Sequence, residues 1–484
     1  MVETINLVWI KRDLRTSDHL PLQAAEKAGL PYRILFIWEP DILAQPDQSE
    51  RHRRFEWESL QDMNQRLRPW NRLVEICYGS AVEVLDWFCQ EYKVLNLYSY
   101  RETGTLKTYQ RDRQVAQRMR FHQVAWNEYQ RNGVERGLQN REGWLQRWWT
   151  HAVSQPIVNT YSPQSLALRP HPFPLPIQPF EFLSQRQGSM QPGGESNANK
   201  YLESFIQTRH THYIAHLSKP LESRRSCARI SPYLAWGNLS IRQVMHRTPS
   251  GLKAFRNRLQ WHDHFIQKFE QESRYETEAV NQAYADLAWT HRSDYLKAWE
   301  LGQTGYPLVD ACMRALLETG WINFRMRALL VSFLCHRLEQ DWRWGVNHLA
   351  RVFLDYHPGI HFAQFQMQAG VTGANLIRVY NPVLNGLKHD PLGHFVRKWV
   401  PELQKLPNEF IHQPWAVTPL ESSLFGFEPG VTYPHPVVEP NQNQSPAVKR
   451  LWELRQSEEA RLEKKRILGK LSHPPSRPSQ RRRR

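Results

Sequence analysis

Five cysteines in 484 residues, with no C-x-x-C pair among Cys77, Cys89, Cys227, Cys312 and Cys335, cannot supply a disulfide scaffold. They suit reduced thiols in a cytoplasmic or nucleoid-associated protein. Long apolar runs are also missing. The longest uncharged one near the middle, Ala328 to Cys335, falls far short of the ~20 residues of a membrane span, and the N-terminus has no basic-then-apolar leader. Secretion and membrane insertion are therefore not expected. No G-x-G-x-x-G or Walker sequence follows the first apolar run, which removes the usual NAD and ATP phosphate cradles. G-x-S-x-G, H-E-x-x-H and metal-spaced cysteine clusters are absent as well, so hydrolase and metalloenzyme readings drop. His210, His212 and His216 fall within two helical turns, but without a clustered carboxylate or cysteine they read as surface or core histidines and no metal site is expected.

What is present is a globular composition, 40% hydrophobic, long enough for two or three domains. The 63 Lys and Arg against 47 Asp and Glu give a net charge of +16, a long-range attraction to polyanions such as nucleic acid. Part of that excess sits in Arg481 to Arg484, after Pro474, Pro475 and Pro478, which reads as a solvated end. Nineteen tryptophans exceed what core filling asks for and suggest base stacking, a flat cofactor or electron hopping.

Along the first 130 residues, short β-branched runs at Ile5–Ile10, Arg33–Trp38, Leu73–Tyr78, Val94–Tyr98 and Gln123–Trp126 alternate with helix-like stretches near Leu20–Ala28, Arg51–Leu67, Ala81–Glu91 and Leu106–Met119. This is the rhythm of a doubly wound parallel α/β sheet, which binds ligands at its strand C-terminal ends. Between Gln155 and Phe180 prolines crowd in and almost no charge remains, an extended connection. Beyond Gly193-Gly194-Glu195 apolar residues recur at helical spacing, as in Leu308, Val309, Cys312, Met313, Leu316 and Leu317 before a stop at Thr319-Gly320. The expected organisation is an α/β domain over 1–132, a connection over 133–194, an all-α domain over 195–440, and a charged helix near Pro446–Leu468 with a basic tail over 441–484.

Several helical-half segments exceed what amphipathic packing needs. Cys227-Ala228-Arg229-Ile230-Ser231-Pro232 is a helix start whose N–H groups and hydroxyl suit a phosphate, or simply an N-cap. Aromatics and arginines gather at helix breaks in Thr304-Gly305-Tyr306-Pro307, Thr319-Gly320-Trp321 and Asp341-Trp342-Arg343-Trp344-Gly345. Thr304 to Ala311 and Asp341 to Gly345, with the opening Val8-Trp9-Ile10-Lys11-Arg12-Asp13-Leu14-Arg15, Arg111-Asp112, Gly133-Val134, Arg229 to Gly237, Arg378-Val379-Tyr380-Asn381-Pro382 and Arg397 to Leu403, make the chain from Leu7 to about Pro414 resemble the cryptochrome/photolyase family.

The resemblance implies an antenna-type α/β domain, a helical domain holding FAD, and blue light as the trigger. It is also compatible with a second antenna chromophore of unspecified identity. It sets Tyr213, Cys227, Ala228, Arg229, Ile230 and Ser231 around the FAD phosphates, with Cys227 and Ala228 replacing the usual Thr and Ser, and counts Trp321 among the cofactor contacts. Arg327 and Asp355 match the charge pair beside the flavin ring. In Leu354 to Gln368 the register puts His357 on the family's second Asp and His361 on the Asn near flavin N5, while a two-residue slip puts Gly359 there. Phe365 replaces the proximal relay tryptophan, and Trp342 and Trp299 match its middle and outer members. Trp261 matches the tryptophan that stacks on a flipped dimer, with Arg258, Phe324, Arg325 and Ala328 completing the substrate pocket.

By the same resemblance the activity is FAD-dependent repair of damaged DNA, duplex or single-stranded, by a monomer, and the alternative is a cryptochrome-like photoreceptor. Only Cys227, Cys312 and Cys335 lie in the helical half, too few for a four-thiolate iron–sulfur cluster.

Overall fold

Five short strands form one parallel sheet: β1 (Thr4–Ile10), β2 (Tyr32–Trp38), β3 (Val74–Tyr78), β4 (Lys93–Tyr100) and β5 (Ala125–Tyr129), in the order β3-β2-β1-β4-β5. All seven residues of β2 are buried, which is why the central strands read as unbroken apolar runs rather than as an alternation. Helices Leu20–Lys27, Glu50–Leu67, Ala81–Glu91 and Leu106–Phe121 make the crossovers. β5 begins later than the residue pattern suggests because Gln123 takes a left-handed conformation (φ 57°) and turns the chain before the strand.

The computed structural model describes residues 2–164, 170–178, 180–184, 189–440 and 445–472. Pro179, part of the proline-rich connection, residues 441–444 and the tail from 473 to Arg484 lie outside them. Within the connection over 133–194, ahead of the proline-rich stretch, Trp144–Val153 is a helix whose Trp144 and Trp148 are fully buried. Trp148 Nε1 donates to Asp263 Oδ2 at 2.8 Å and so ties this helix to the second half.

From Glu195 onward the chain is helical, with a single isolated bridge between Pro429 and Tyr433 among the described residues. The helix Pro307–Thr319 buries Leu308, Val309, Cys312, Met313 and Leu316 on one face. It stops at Gly320, whose φ of +69° and close approach to Leu354 (a Cβ would lie 2.8 Å from the Leu354 Cβ) leave room only for glycine. The single charged helix expected near Pro446–Leu468 is two helices, Pro446–Gln456 and Glu458–Leu471. The break falls at Ser457, whose side chain accepts from the Ala460 N–H and caps the second helix. Both pack on the helical core through Leu451, Ala460, Ile467 and Leu471.

Among the described residues no helix is long and apolar enough to cross a membrane, all five cysteines are free thiols, and no three His, Cys, Asp or Glu side chains converge to hold a metal ion.

Candidate functional site

The helical half encloses a cavity of about 840 Å³, within the size range of small-molecule and cofactor sites. Its walls come from the helices Lys253–Gln271, Phe324–Ser332 and Pro358–Ala369 and from the loop that enters the short helix Ser231–Ala235.

The loop brings Cys227, Ala228, Arg229, Ile230 and Ser231 to one end of the cavity, beside Tyr213. Arg209 shapes it by donating to the carbonyls of Arg225 at 3.1 Å and Ala228 at 3.2 Å. Arg229 sits in the left-handed region (φ 58°), with its guanidinium 4.3 Å over the Trp321 ring and Nε donating to Gln191 at 3.0 Å. Burial, reinforced by Arg224, lowers the Arg229 pKa to about 10. Burial also raises the Cys227 thiol to about 11 and the Tyr213 hydroxyl to about 12. These groups therefore keep their ordinary neutral-pH charge states: a cationic guanidinium, a neutral thiol and a neutral phenol.

At mid-cavity Arg327 grips Asp355 in a two-point bond, Nη1 to Oδ1 at 3.0 Å and Nη2 to Oδ2 at 2.7 Å. The guanidinium lies 4.1 Å over the Phe353 ring, and Nε donates to the Ile322 carbonyl. The fork geometry suits arginine and not lysine. His361 faces the same space, its Nε2–H donating to the Val346 carbonyl at 2.8 Å. Burial lowers its pKa to about 4, so the ring is neutral.

Of the two registers left open by the sequence, the one with His361 is the one that brings a side chain to the cavity. Gly359 instead abuts the helix opposite, where a Cβ would meet Ile266 Cα at 2.9 Å. His357 does not line the cavity: it is buried, and its Nδ1 accepts from the Gly359 N–H to cap the helix behind. Burial, with Arg12, Arg131 and His262 nearby, holds its pKa well below the usual histidine value.

The mouth carries Trp261, 47% exposed and edge-on to His264 at 5.1 Å, together with Arg258, whose guanidinium lies 5.8 Å over Phe324. Ala328 is buried in the wall. Arg325 points elsewhere, donating to Ser218 Oγ at 2.9 Å, and is not part of the cavity lining. Phe365 lines the cavity, whereas Trp342 and Trp299 lie in the core behind it. Trp299, expected as the outer relay member, is not at the surface: it is fully buried between Leu330 and Gly345. The exposed tryptophan of that region is Trp344.

His262, Lys268, Gln364 and Gln368 also line the cavity and were not singled out from the sequence. A signal existed: 258, 261, 262, 265 and 268 share one helical face, as do 361, 364, 365 and 368. Lys268 is held down to about 8 by burial, with Arg141 adding to it. Two buried polar atoms in the lining, Asn323 Oδ1 and His262 Nε2, have no protein partner and suit a polar ligand.

Comparisons with known proteins agree with this geometry. A family model described as DNA photolyase matches residues 6–134, and one described as the FAD binding domain of DNA photolyase matches residues 255–453, together more than half of the chain. The chain is 27% identical over 453 residues to a deoxyribodipyrimidine photo-lyase of Vibrio cholerae, covering 87% of this chain and 95% of that one. Among solved structures, a Synechocystis cryptochrome superposes with a TM-score of 0.82 at 25% identity, over 94% of this chain and 99% of the other. A bacterial class III photolyase from Agrobacterium tumefaciens superposes with a TM-score of 0.80 at 25% identity, over 94% and 98%. With the parallel sheet, the helical cavity and both family models in agreement, the chain belongs to the photolyase/cryptochrome family.

Proposed function

We propose that the protein is a light-driven DNA repair enzyme that splits pyrimidine dimers with FAD held in the helical cavity. The observation that carries this reading is the placement of Trp261: exposed at the mouth, it gives an extruded base a stacking face directly above the cavity. Bound there, FAD would absorb blue light and, when reduced, supply the electron that opens the dimer.

The chain's own residues do the rest. Cys227 to Ser231 and Tyr213 would hold the phosphate end, and the unpartnered Asn323 Oδ1 and His262 Nε2 would take polar groups of the bound molecules. The Arg327–Asp355 pair would fix the polar edge of the ring system, and neutral His361 would stand beside it without adding charge. Arg258 would supply a cation at the cavity mouth for a phosphate backbone.

The crevice between β1 and β4 is where doubly wound sheets usually take ligands. It encloses about 70 Å³ and is lined by Trp9, Lys11, Arg12, Arg111, Glu39 and Glu102.

A photoreceptor is the second reading, favoured by Arg258 and Phe324 packing on one another at the mouth, where neither offers an acceptor for a base edge. Blue-light loss of thymine dimers from damaged duplex and single-stranded DNA, measured with FAD-loaded, prereduced protein, tests the assignment. Repair of neither substrate replaces the enzyme by the photoreceptor.

A further inference from the structure

The segment Val352–Tyr356 carries Asp355 to the cavity, yet it belongs to no helix beyond Val352 and is held by groups outside the helices that line the cavity. Arg51 Nη1 donates to the Val352 carbonyl at 2.7 Å, and its other contacts reach the Leu316 and Leu317 carbonyls. His52 donates from Nε2 to the Phe353 carbonyl at 2.9 Å. Trp236 Nε1 takes the Leu354 carbonyl at 2.8 Å, and Arg12 Nη1 takes that of Tyr356 at 3.1 Å. The Tyr356 hydroxyl ends on Asp47. Four of the five carbonyls between 352 and 356 are thus claimed by side chains, and Arg51, His52, Arg12 and Asp47 all come from the α/β domain.

The donors are themselves fixed. The His52 ring stacks on Tyr356 at 5.7 Å, and burial keeps it neutral, so the proton sits on Nε2 while Nδ1 has no partner. The Arg12 guanidinium lies 4.3 Å over Trp236 and reaches Glu102 at 3.7 Å. Glu102 also binds Arg111, which binds Glu39 and Asp112, and Asp112 binds Lys11. The network that fills the crevice between β1 and β4 therefore ends, through Arg12, on the backbone next to Asp355.

We propose that Arg51, His52 and Arg12 are positioning residues for the flavin site: through the carbonyls of Val352, Phe353 and Tyr356 they fix the Asp355 carboxylate against Arg327 on the cavity wall. The α/β domain then serves the helical domain mechanically, and its crevice is the root of the clamp. This rests on the reading that the cavity binds FAD. A carboxylate turned out of the guanidinium plane loses the two-point bond to Arg327, because two parallel hydrogen bonds share one plane.

The test uses full-length apoprotein titrated with FAD by flavin fluorescence, and loaded protein whose reduced flavin is followed as it reoxidises in the dark. Arg12→Met is expected to weaken FAD binding by about tenfold, the size of one charge-assisted hydrogen bond, and to speed reoxidation. Asp355→Asn should do the same, and the double variant should be no worse than Asp355→Asn alone, since both act through one carboxylate. Arg12→Lys, still able to donate, should recover part of the loss. Should Arg12→Met not fold, His52→Phe keeps the ring stack, removes only the donor, and carries the same expectation. Additive effects in the double variant, or unchanged FAD binding and reoxidation in a folded single variant, overturn the clamp. A wild-type protein that binds no FAD overturns the cofactor reading first, and that result is visible before any variant is made.

Discussion

Trp299 is sealed in the helical core, its Nε1 donating to the Leu330 carbonyl at 3.1 Å, while Phe365 lines the cavity wall. A phenylalanine passes an electron less readily than an indole, so supply to the cavity is expected to be slow and to depend on Trp342. Trp342→Phe should slow flavin photoreduction markedly, and Phe365→Trp should accelerate it, but only while Trp342 is present. Transient absorption on the loaded protein reads both. An unchanged rate in the Trp342 variant would move the route to Trp344 or Trp321.

Arg327 and Asp355 share two hydrogen bonds in a site where Asp355 is almost wholly buried. Removing one partner of a buried pair strands the other, at a cost of about 3–5 kcal/mol, and the part-exposure of Arg327 sets the lower end of that range. Arg327→Met should therefore lower the urea midpoint of the apoprotein strongly, and Arg327→Lys should restore little of it because an ammonium cannot make the fork. Arg327→Met combined with Asp355→Leu should be more stable than Arg327→Met alone. Equal midpoints for the single and double variants would show that the carboxylate finds water on its own.

The sheet was legible because β1 and β2 are buried on both faces, and burial of that kind leaves a short, largely apolar run in the chain. Ser457 was a missed signal: a serine followed three residues later by alanine on a charged helix looks like any surface position until its hydroxyl is seen capping a new helix. The burial of Trp299 had no local signal, since the residues that cover it, Leu330 and Gly345, are distant in sequence. Motif matching brought Arg327 and Asp355 together correctly as a pair, but it could not show that His357 caps a helix while His361 lines the cavity, because both histidines sit in one short stretch and only the helix start at Pro358 separates their directions.

Acid should destabilise the fold through its buried histidines. Burial lowers His336, His348 and His361 to about 4 and His52 to about 3. A depressed histidine is neutral in the native state and charged in the unfolded chain between its folded value and the usual value near 6.5. The unfolded state thus binds more protons there, and the stability these groups contribute, full above about pH 6.5, is lost as pH falls toward 4. Each contributes a slope of roughly 1.4 kcal/mol per pH unit inside that window. Urea midpoints measured from pH 7.5 to 5 should fall with a slope of more than one proton. A flat profile would mean that these rings are solvated in solution.

Trp261 offers the sharpest separation between a repair enzyme and a receptor, because it is the most exposed aromatic side chain of the cavity lining. Base–aromatic stacking is worth about 1–3 kcal/mol, so Trp261→Ala should weaken binding to dimer-containing DNA by roughly ten- to hundredfold. Undamaged duplex should be held almost equally by both proteins, since that affinity is expected to come from phosphate contacts to exposed cations at the mouth such as Arg258 and to fall steeply with salt. The two contributions separate on a salt titration. Arg258→Gln should reduce the slope of log affinity against log salt by about 0.9, the release of one counterion from duplex, and leave the preference for damage in place. Trp261→Ala should do the reverse, removing the preference and keeping the slope. Extruding a base from a duplex also costs unstacking energy that a single strand does not demand, so wild type should show a larger absolute affinity for a dimer in single-stranded DNA at matched salt. A Trp261→Ala variant that keeps its discrimination between damaged and undamaged DNA would place recognition away from the cavity mouth, and the repair assignment would fall with it.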